Sequence, residues 1–261
     1  SGNGRGMKLA ACDLDGTIFF DGHMPADVPA AIARWRAAGN LAVVATGKSR
    51  YAMRRALQPF DIDFDYYLLC NGTVILDGEQ RILYESHVPP QAVRAVYDRV
   101  HDTSGLDLYC TRLKGPDGYL VRNVAGVHNP IITDPVAVAP KVIEEEVFPL
   151  VAAWTPDNQE LQREIAEWVT SRFDVGTAMN RNFFDITPPG HDKGFALTWL
   201  LDHLSLARGD VQVVTLGDGY NDLPMHALAD VSLTFPWAHP AIQEACDVVV
   251  ESAVDLSLIH I

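Results

Sequence analysis

Apolar residues in the first third of the chain gather into short unbroken runs separated by stretches with helical spacing. MKLAACDL (7–14) and LAVVAT (41–46) read as strands buried on both faces. Between them, PADVPAAIARWRAAGN places Val28, Ile32 and Trp35 along one helical face, with Gly39 at the C-terminal stop. KSRYAMRRALQ predicts a second helix ended by Pro59, and YYLLCNG a third strand closing in a turn. This β-α-β-α-β order implies a mostly parallel sheet covered by helices.

The pattern then changes. LDLYC and GYLVRNV flank TRLKGPDG, whose Pro and Gly suit the loop of a hairpin. TPDNQELQREIAEWVTSRF predicts a helix with Thr155 as its cap, Pro156 in its first turn and Leu161, Ile165, Trp168 and Val169 on one face. FDVGTAMN and NFFDIT predict a second hairpin around Asn180-Arg181. Hairpins with little βαβ patterning suggest a separate α+β domain. Alternation resumes with the helix DKGFALTWLLDHL, the buried strand VQVVTLGDG, a helix containing NDLPMHALA, and the short strands DVSLTF and CDVVVES. The expected division is a core in two parts, 1–80 and 186–261, interrupted by a domain at 81–185. Residues 1–6 read as an expression remnant ahead of Met7, and no secretory leader pattern follows.

Composition narrows the partners. A formal net charge of −14 disfavours nucleic acid and anionic membrane surfaces. It also requires a local positive site if the substrate is an anion. No apolar run approaches the ~20 residues that span a bilayer. Cys12, Cys70, Cys110 and Cys246 are scattered without metal-ligand spacing, as buried free thiols are, and a cytoplasmic location is the expectation.

Four polar groups fall at strand ends or helix starts, where open parallel sheets place ligand sites. Asp13 and Asp15 end the first strand, Thr46-Gly47 ends the second, Lys193 opens a helix, and GDGYND carries Asp218 and Asp222. Each alone has an ordinary reading as a turn, a solvated charge or an acidic loop; their shared edge raises the chemical one. ATGKS ends like a nucleotide-binding P-loop, but Ala42 stands where that motif needs glycine, which argues against an NTPase.

In this order, DLDGT, Thr46 in VVATGK, Lys193 in HDKGFAL, and GDGYND resemble the four motifs of the haloacid dehalogenase superfamily. Asp13 and Thr46 lie too near in sequence to enclose a domain, whereas Thr46 and Lys193 are far enough apart. With CNG and the KG-AL pattern, that spacing resembles the type IIB capped, Cof-like phosphatases. The resemblance implies a Rossmann-like core with an inserted α+β cap, and a Mg²⁺-dependent phosphatase. Asp13 and Asp218 would supply carboxylates to the metal and Asp15 a backbone carbonyl, while Asp222 would support the metal's waters or hold Lys193.

By the same resemblance Asp13 is the nucleophile and Asp15 the acid, then base, of a two-step hydrolysis. Thr46 and Lys193 would stabilise the phosphoryl oxygens, with Gly47, Asn71 and Asn221 also binding phosphate or substrate. The second aspartate favours an ester substrate, because an alkoxide needs a proton on leaving.

The expected partner is a small phosphorylated metabolite, with sugar phosphates favoured and a phosphorylated cofactor or its precursor as another class. The chain itself would be a monomer or homodimer. A sugar phosphomutase and a non-catalytic phospho-ligand-binding protein remain the alternatives. Arg112, Lys114, Arg122, His128 and Arg181 are cap candidates for substrate contact, and His191 and His226 flank motifs. Two departures from the family pattern stand out. LTFPWAHPAI replaces a Met-Gly-Asn-Ala-like loop, leaving Phe235 and Trp237 to pack between core and cap or to form an apolar wall, and Lys48 stands where Arg is common.

Overall fold

The computed structural model describes residues 6–180 and 182–257. The chain forms two compact units. One holds the residues up to Gly47, Arg55–Tyr84 and those from Asp192 onward; the other holds Lys48–Arg54 and Glu85–His191.

In chain order the elements are β1 (Lys8–Cys12), α1 (Val28–Ala37), β2 (Leu41–Ala45), α2 (Arg50–Leu57), β3 (Tyr66–Leu69), β4 (Val74–Asp77) and β5 (Ile82–Glu85). There follow α3 (Pro90–Val100), β6 (Asp107–Cys110), β7 (Gly118–Arg122), β8 (Val136–Ala137), α4 (Val142–Glu145), β9 (Val151–Trp154), α5 (Gln159–Arg172), β10 (Gly176–Asn180) and β11 (Phe183–Thr187). The last are α6 (Lys193–His203), β12 (Gln212–Leu216), α7 (Leu223–His226), β13 (Val231–Thr234), α8 (Pro240–Ala245) and β14 (Val248–Val249).

The first unit is an eight-stranded sheet in the order β14-β13-β12-β1-β2-β3-β4-β5. β1 pairs in parallel with both β12 and β2, and its side chains alternate between two cores. Leu9 and Ala11 join Val43, Leu68, Leu197 and Leu200 on one face, while Ala10 and Cys12 join Val214, Leu216 and Leu233 on the other. Burial on both faces is why this strand reads as an unbroken apolar run. The register sets Cys12 beside both Val44 and Leu216, so the chain leaves β1, β2 and β12 at one edge of the sheet.

After β3 the structure departs from the simple turn expected of CNG. Cys70 and Asn71 both take positive φ, 53° and 55°, and Gly72 follows at 96°. The chain thereby reverses into β4, antiparallel to β3. A Cβ at Gly72 would lie 2.0 Å from the Asp192 carbonyl oxygen, so only glycine fits there.

The second unit has a six-stranded sheet, β10-β11-β9-β6-β7-β8. The expected hairpins are present as the antiparallel pairs β6–β7 and β10–β11. β9 joins them antiparallel to both β6 and β11. Helices α3 and α5 contribute Val93, Val96, Ile165 and Val169 to its core with Leu108, Val151 and Phe184. The cap of α5 differs from the Thr155 expectation. Asp157 adopts φ 56°, which breaks helical continuity after Pro156, and the Asn158 side chain instead accepts a 3.0 Å hydrogen bond from the Leu161 N–H.

Among the described residues no helix is long and apolar enough to cross a membrane. Cys12, Cys70 and Cys110 are buried thiols, as expected, whereas Cys246 is half-buried, and burial pushes the Cys12 and Cys110 thiols up to about 12.

The Asn158→Ala variant should lose about 1 kcal/mol of stability, with a lower midpoint and an unchanged slope in urea unfolding. An unchanged midpoint would show that the Asn158 cap contributes nothing.

Candidate active site

Asp13 is carried one residue past β1, and its backbone N–H continues the ladder by donating to the Leu216 carbonyl at 2.9 Å. Asp13 is 6% exposed, and its carboxylate accepts the Leu14 N–H at 2.8 Å. The turn that follows is closed by the N–H groups of Thr17, Ile18 and Phe19 on the Leu14 carbonyl. Gly16 has φ 79°, and a Cβ there would lie 2.2 Å from Asp218 Oδ2. The glycine of DLDGT is therefore the residue that lets this turn approach Asp218. Asp15 lies half-buried in the same turn, bridged to Phe19.

Lys193 is the first residue of α6, whose cap is the Asp192 carboxylate accepting the Phe195 N–H at 2.7 Å. Its side chain is 0% exposed. Nζ lies 2.6 Å from Asp222 Oδ1 and 3.2 Å from Asp13 Oδ1. Of the two roles left open for Asp222, the structure displays the second: it holds Lys193, and its other oxygen accepts the Gly219 N–H at 3.0 Å. Gly217 permits this approach, since a Cβ there would lie 2.3 Å from the Asp222 carboxyl carbon.

Burial, followed by the nearby Asp222 charge, drives the Asp13 carboxyl well above the usual carboxylate range, with Lys193 opposing the shift. For Lys193 burial alone would lower the ammonium pKa, but Asp13 and Asp222 reverse this and raise it. Asp13, Asp218 and Asp222 each offer an oxygen, and these oxygens lie within 4.8 Å of one another. One ammonium faces three carboxylates, so negative charge is in excess. The all-oxygen donor set and the surplus charge fit a hard divalent cation such as Mg²⁺.

The remaining expected residues gather beside this cluster. Thr46 is buried; its N–H donates to Leu68 and its carbonyl accepts the Asn71 N–H at 3.0 Å. Asn221 Nδ2 donates to Asn71 Oδ1 at 3.0 Å, joining the turn after β3 to the loop after β12. The Asn221 Oδ1 is buried without a hydrogen-bond partner among the described residues. A Cβ on Gly47 would lie 3.3 Å from Asn71 Oδ1, so Gly47 completes the same group.

Two residues in this region gain definite roles. His226 is neither solvated nor a helix-end charge, as its flanking position had allowed. It is buried, with Nδ1 2.7 Å from Thr215 Oγ1 and Nε2 3.2 Å from the Gly217 carbonyl oxygen. These bonds brace the loop that carries Asp218 and Asp222. Trp237 donates its indole N–H to the Gly16 carbonyl at 2.9 Å. Nothing in the sequence pattern connects residues so far apart.

The cap candidates are more ordinary. Arg112 is ion-paired with Glu146, and Arg122 stacks its guanidinium 4.7 Å from the Tyr119 ring centroid. Lys114 and His128 are exposed, His191 bonds the Pro189 carbonyl oxygen, and Arg181 lies outside the described residues.

Gly16→Ala should weaken divalent-cation binding about 10- to 100-fold in calorimetry while leaving the far-ultraviolet spectrum intact; unaltered binding would show that the turn yields freely. His226 gives a pH-dependent prediction. Burial lowers its pKa below the ordinary 6.5, so the unfolded chain binds the extra proton first as pH falls. The stability contributed by neutral His226 is complete above about 6.5 and is lost below it, down through the depressed folded value. His226→Gln should flatten the stability profile in that acid window, measured by urea unfolding at stepped pH.

A Streptococcus pyogenes protein named as a bifunctional phosphatase/peptidyl-prolyl cis-trans isomerase is 23% identical over 97% of this chain. The chain spans about half of that relative, 53% of its length. An Escherichia coli HMP-PP phosphatase is 25% identical over 84% of this chain and 80% of its own length. The structure of a subclass IIB sugar phosphatase superposes with a TM-score of 0.77 at 19% identity, covering 97% of this chain and 96% of that one. The expected architecture, a mostly parallel α/β core with an inserted α+β unit, is that of this solved structure. The profile of the haloacid dehalogenase-like hydrolases matches residues 10–260, and the chain belongs to that family.

Proposed function

We propose that this hydrolase is a Mg²⁺-dependent phosphatase acting on a monoester of a small organic alcohol, sugar phosphates among them, through an aspartyl-phosphate on Asp13. The observation that carries the reading is the buried Lys193 ammonium, set between Asp13 and Asp222 beside Asp218. A lysine so held offers positive charge to a phosphate at the point where Asp13 offers an oxygen. The name of one structural relative, a sugar phosphatase, supports the same substrate class.

In this reading Asp13, Asp218 and the Asp15 carbonyl hold the metal, with Asp222 beside them. Mg²⁺, when bound, neutralises charge between carboxylates and phosphate. Asp13 Oδ attacks phosphorus as the ester oxygen departs, and Asp15 gives that oxygen its proton. Asp15 then takes a proton from the water that cleaves the acyl phosphate, releasing inorganic phosphate and restoring Asp13. Lys193, the Thr46 hydroxyl and Gly47 N–H stabilise the phosphoryl oxygens, while Asn71 and Asn221 orient the substrate. The Asn71–Asn221 bond would fix both amides before the ester arrives, which limits the ordering cost of binding.

Phosphate release from sugar phosphates, nucleotides, pyridoxal phosphate and p-nitrophenyl phosphate should require Mg²⁺ and stop with chelator. Asp13→Asn should reduce it at least about 10³-fold. Release that survives the loss of either would overturn the reading. Nitrophenolate leaves without a proton, so Asp15→Asn should still complete the first step. Rapid mixing with p-nitrophenyl phosphate should then show a burst of about one equivalent per site before a slow steady rate. Uniformly slow release with no burst would remove Asp15 from the second step.

A further inference from the structure

Away from the carboxylates, the first unit keeps a cavity that hydrolysis does not use. It holds about 330 Å³ and runs between β1 and the inner face of α1. Small-molecule sites begin at about that size. The sequence of α1 accounts for the space. Val28, Ile32 and Trp35 lie on the face that meets the sheet, and Ala31 and Ala38 share it two turns apart. A core-facing helix fills such positions with larger side chains; alanine leaves the volume open.

The two ends of the cavity differ in chemistry. Buried Cys12, Ile18 and Leu216 close one end. The Cys12 thiol, pushed up to about 12, is neutral and serves as apolar lining. Half-buried Lys8 and Asn40 and exposed Arg34 line the other end, so the cavity opens there, where β1 begins. Four strand steps from Lys8 to Cys12 set the ends about 13 Å apart.

The charges at the mouth point to the ligand. Neither Lys8 nor Arg34 forms an ion pair among the described residues. Two unopposed cations at one opening stand out in a chain of net charge −14. Asn40 gives its Oδ1 to the Lys8 N–H at 3.0 Å, which leaves Nδ2 as a third donor. A cationic head group would meet two like charges here, and a sugar would leave the apolar end dry and unfilled. The complementary shape is a linear molecule with one anionic head and an apolar tail.

We propose that this cavity is a binding site for a medium-chain carboxylate or a linear anionic amphiphile of similar length. The head lies at Lys8 and Arg34, and the tail runs under α1 toward Cys12 and Leu216. The inference does not rest on the phosphatase reading, because the head group lies a strand's length from Asp13. The tail still reaches residues that anchor the nucleophile: Cys12 precedes Asp13, whose N–H donates to the Leu216 carbonyl. An occupant therefore stabilises the folded unit from behind its catalytic edge.

The test titrates octanoate calorimetrically into the full chain, beside butanoate, hexanoate and octylamine, with and without Mg²⁺ and inorganic phosphate. One octanoate should bind per chain, and neither Mg²⁺ nor phosphate should alter its affinity. Each CH₂ added from butanoate to octanoate should tighten binding about fourfold. Octylamine should bind at least about 10-fold more weakly. Lys8→Gln combined with Arg34→Gln should weaken octanoate about 10-fold. Arg34→Gln alone should leave phosphate release unchanged. Ala31→Phe should fill the cavity and abolish binding. Location has its own readout: 8-bromooctanoate should quench tryptophan fluorescence in wild type, and Trp35→Phe should remove most of that quenching.

The proposal falls if octanoate does not bind, if chain length has no effect, or if octylamine binds equally well. Competition by phosphate or dependence on Mg²⁺ would place the carboxylate at the Asp13–Lys193 cluster and overturn it as well. Binding that survives in a folded Ala31→Phe chain would put the ligand elsewhere. If that variant does not fold, quenching that persists in Trp35→Phe decides against the site. Octanoate binding without turnover of any phosphate would keep this inference and remove the phosphatase reading.

Discussion

The site depends on a buried ammonium placed between two carboxylates. Lys193 has no exposed surface, and its charge is sustained by Asp13 and Asp222. Removing any one member would leave uncompensated charge in a low-dielectric setting, which costs several kcal/mol. The arrangement therefore serves local order as well as chemistry. It fixes α6, the end of β1 and the loop after β12 to a common point, and the surrounding glycines follow from it. Gly16 and Gly217 face carboxylate atoms at distances that no side chain could share, and a Cβ on Gly194 would lie 2.7 Å from the Pro224 carbonyl oxygen.

Parallel register supplies the rest. Because β1 is flanked by β2 and β12 running the same way, three chain exits meet at one edge. Turn chemistry then points the polar groups inward. The amide pair Asn71–Asn221 and the His226 brace are local devices that stiffen loops which sheet pairing alone would leave loosely defined. Pre-organisation of this kind lowers the cost of gathering like charges when an anion binds.

Much of this was legible in the chain. The doubly buried strands announced themselves as apolar runs, and the strand-end and helix-start motifs pointed to Asp13, Lys193 and Asp218, which the structure brings together around Asp222. Other features were less accessible. β4 follows a turn made by two non-glycine residues in left-handed conformation, which sequence propensity disfavours. The cap of α5 moved because Asp157 adopts the same unusual region. The Trp237–Gly16 bond joins distant positions through a backbone carbonyl, and a carbonyl carries no residue identity to read. His226 could be read as a helix-end, a solvated or a catalytic residue, because its partners, Thr215 and a main-chain oxygen, leave no charge pattern to read.

The order of strands in the first unit also bears on how the chain acquires its charges' arrangement. β1 pairs with β12, and residues 13–211 lie between them. Closing so long a loop carries an entropic cost, although it grows only logarithmically with length. The segment from Glu85 to His191 is continuous and brings its own core, so it can become compact without waiting for the rest. Asp13, by contrast, is synthesised long before the residues that neutralise or share its pocket. During synthesis it is a solvated aspartate on an unfinished sheet edge until Lys193, Asp218 and Asp222 have also been made.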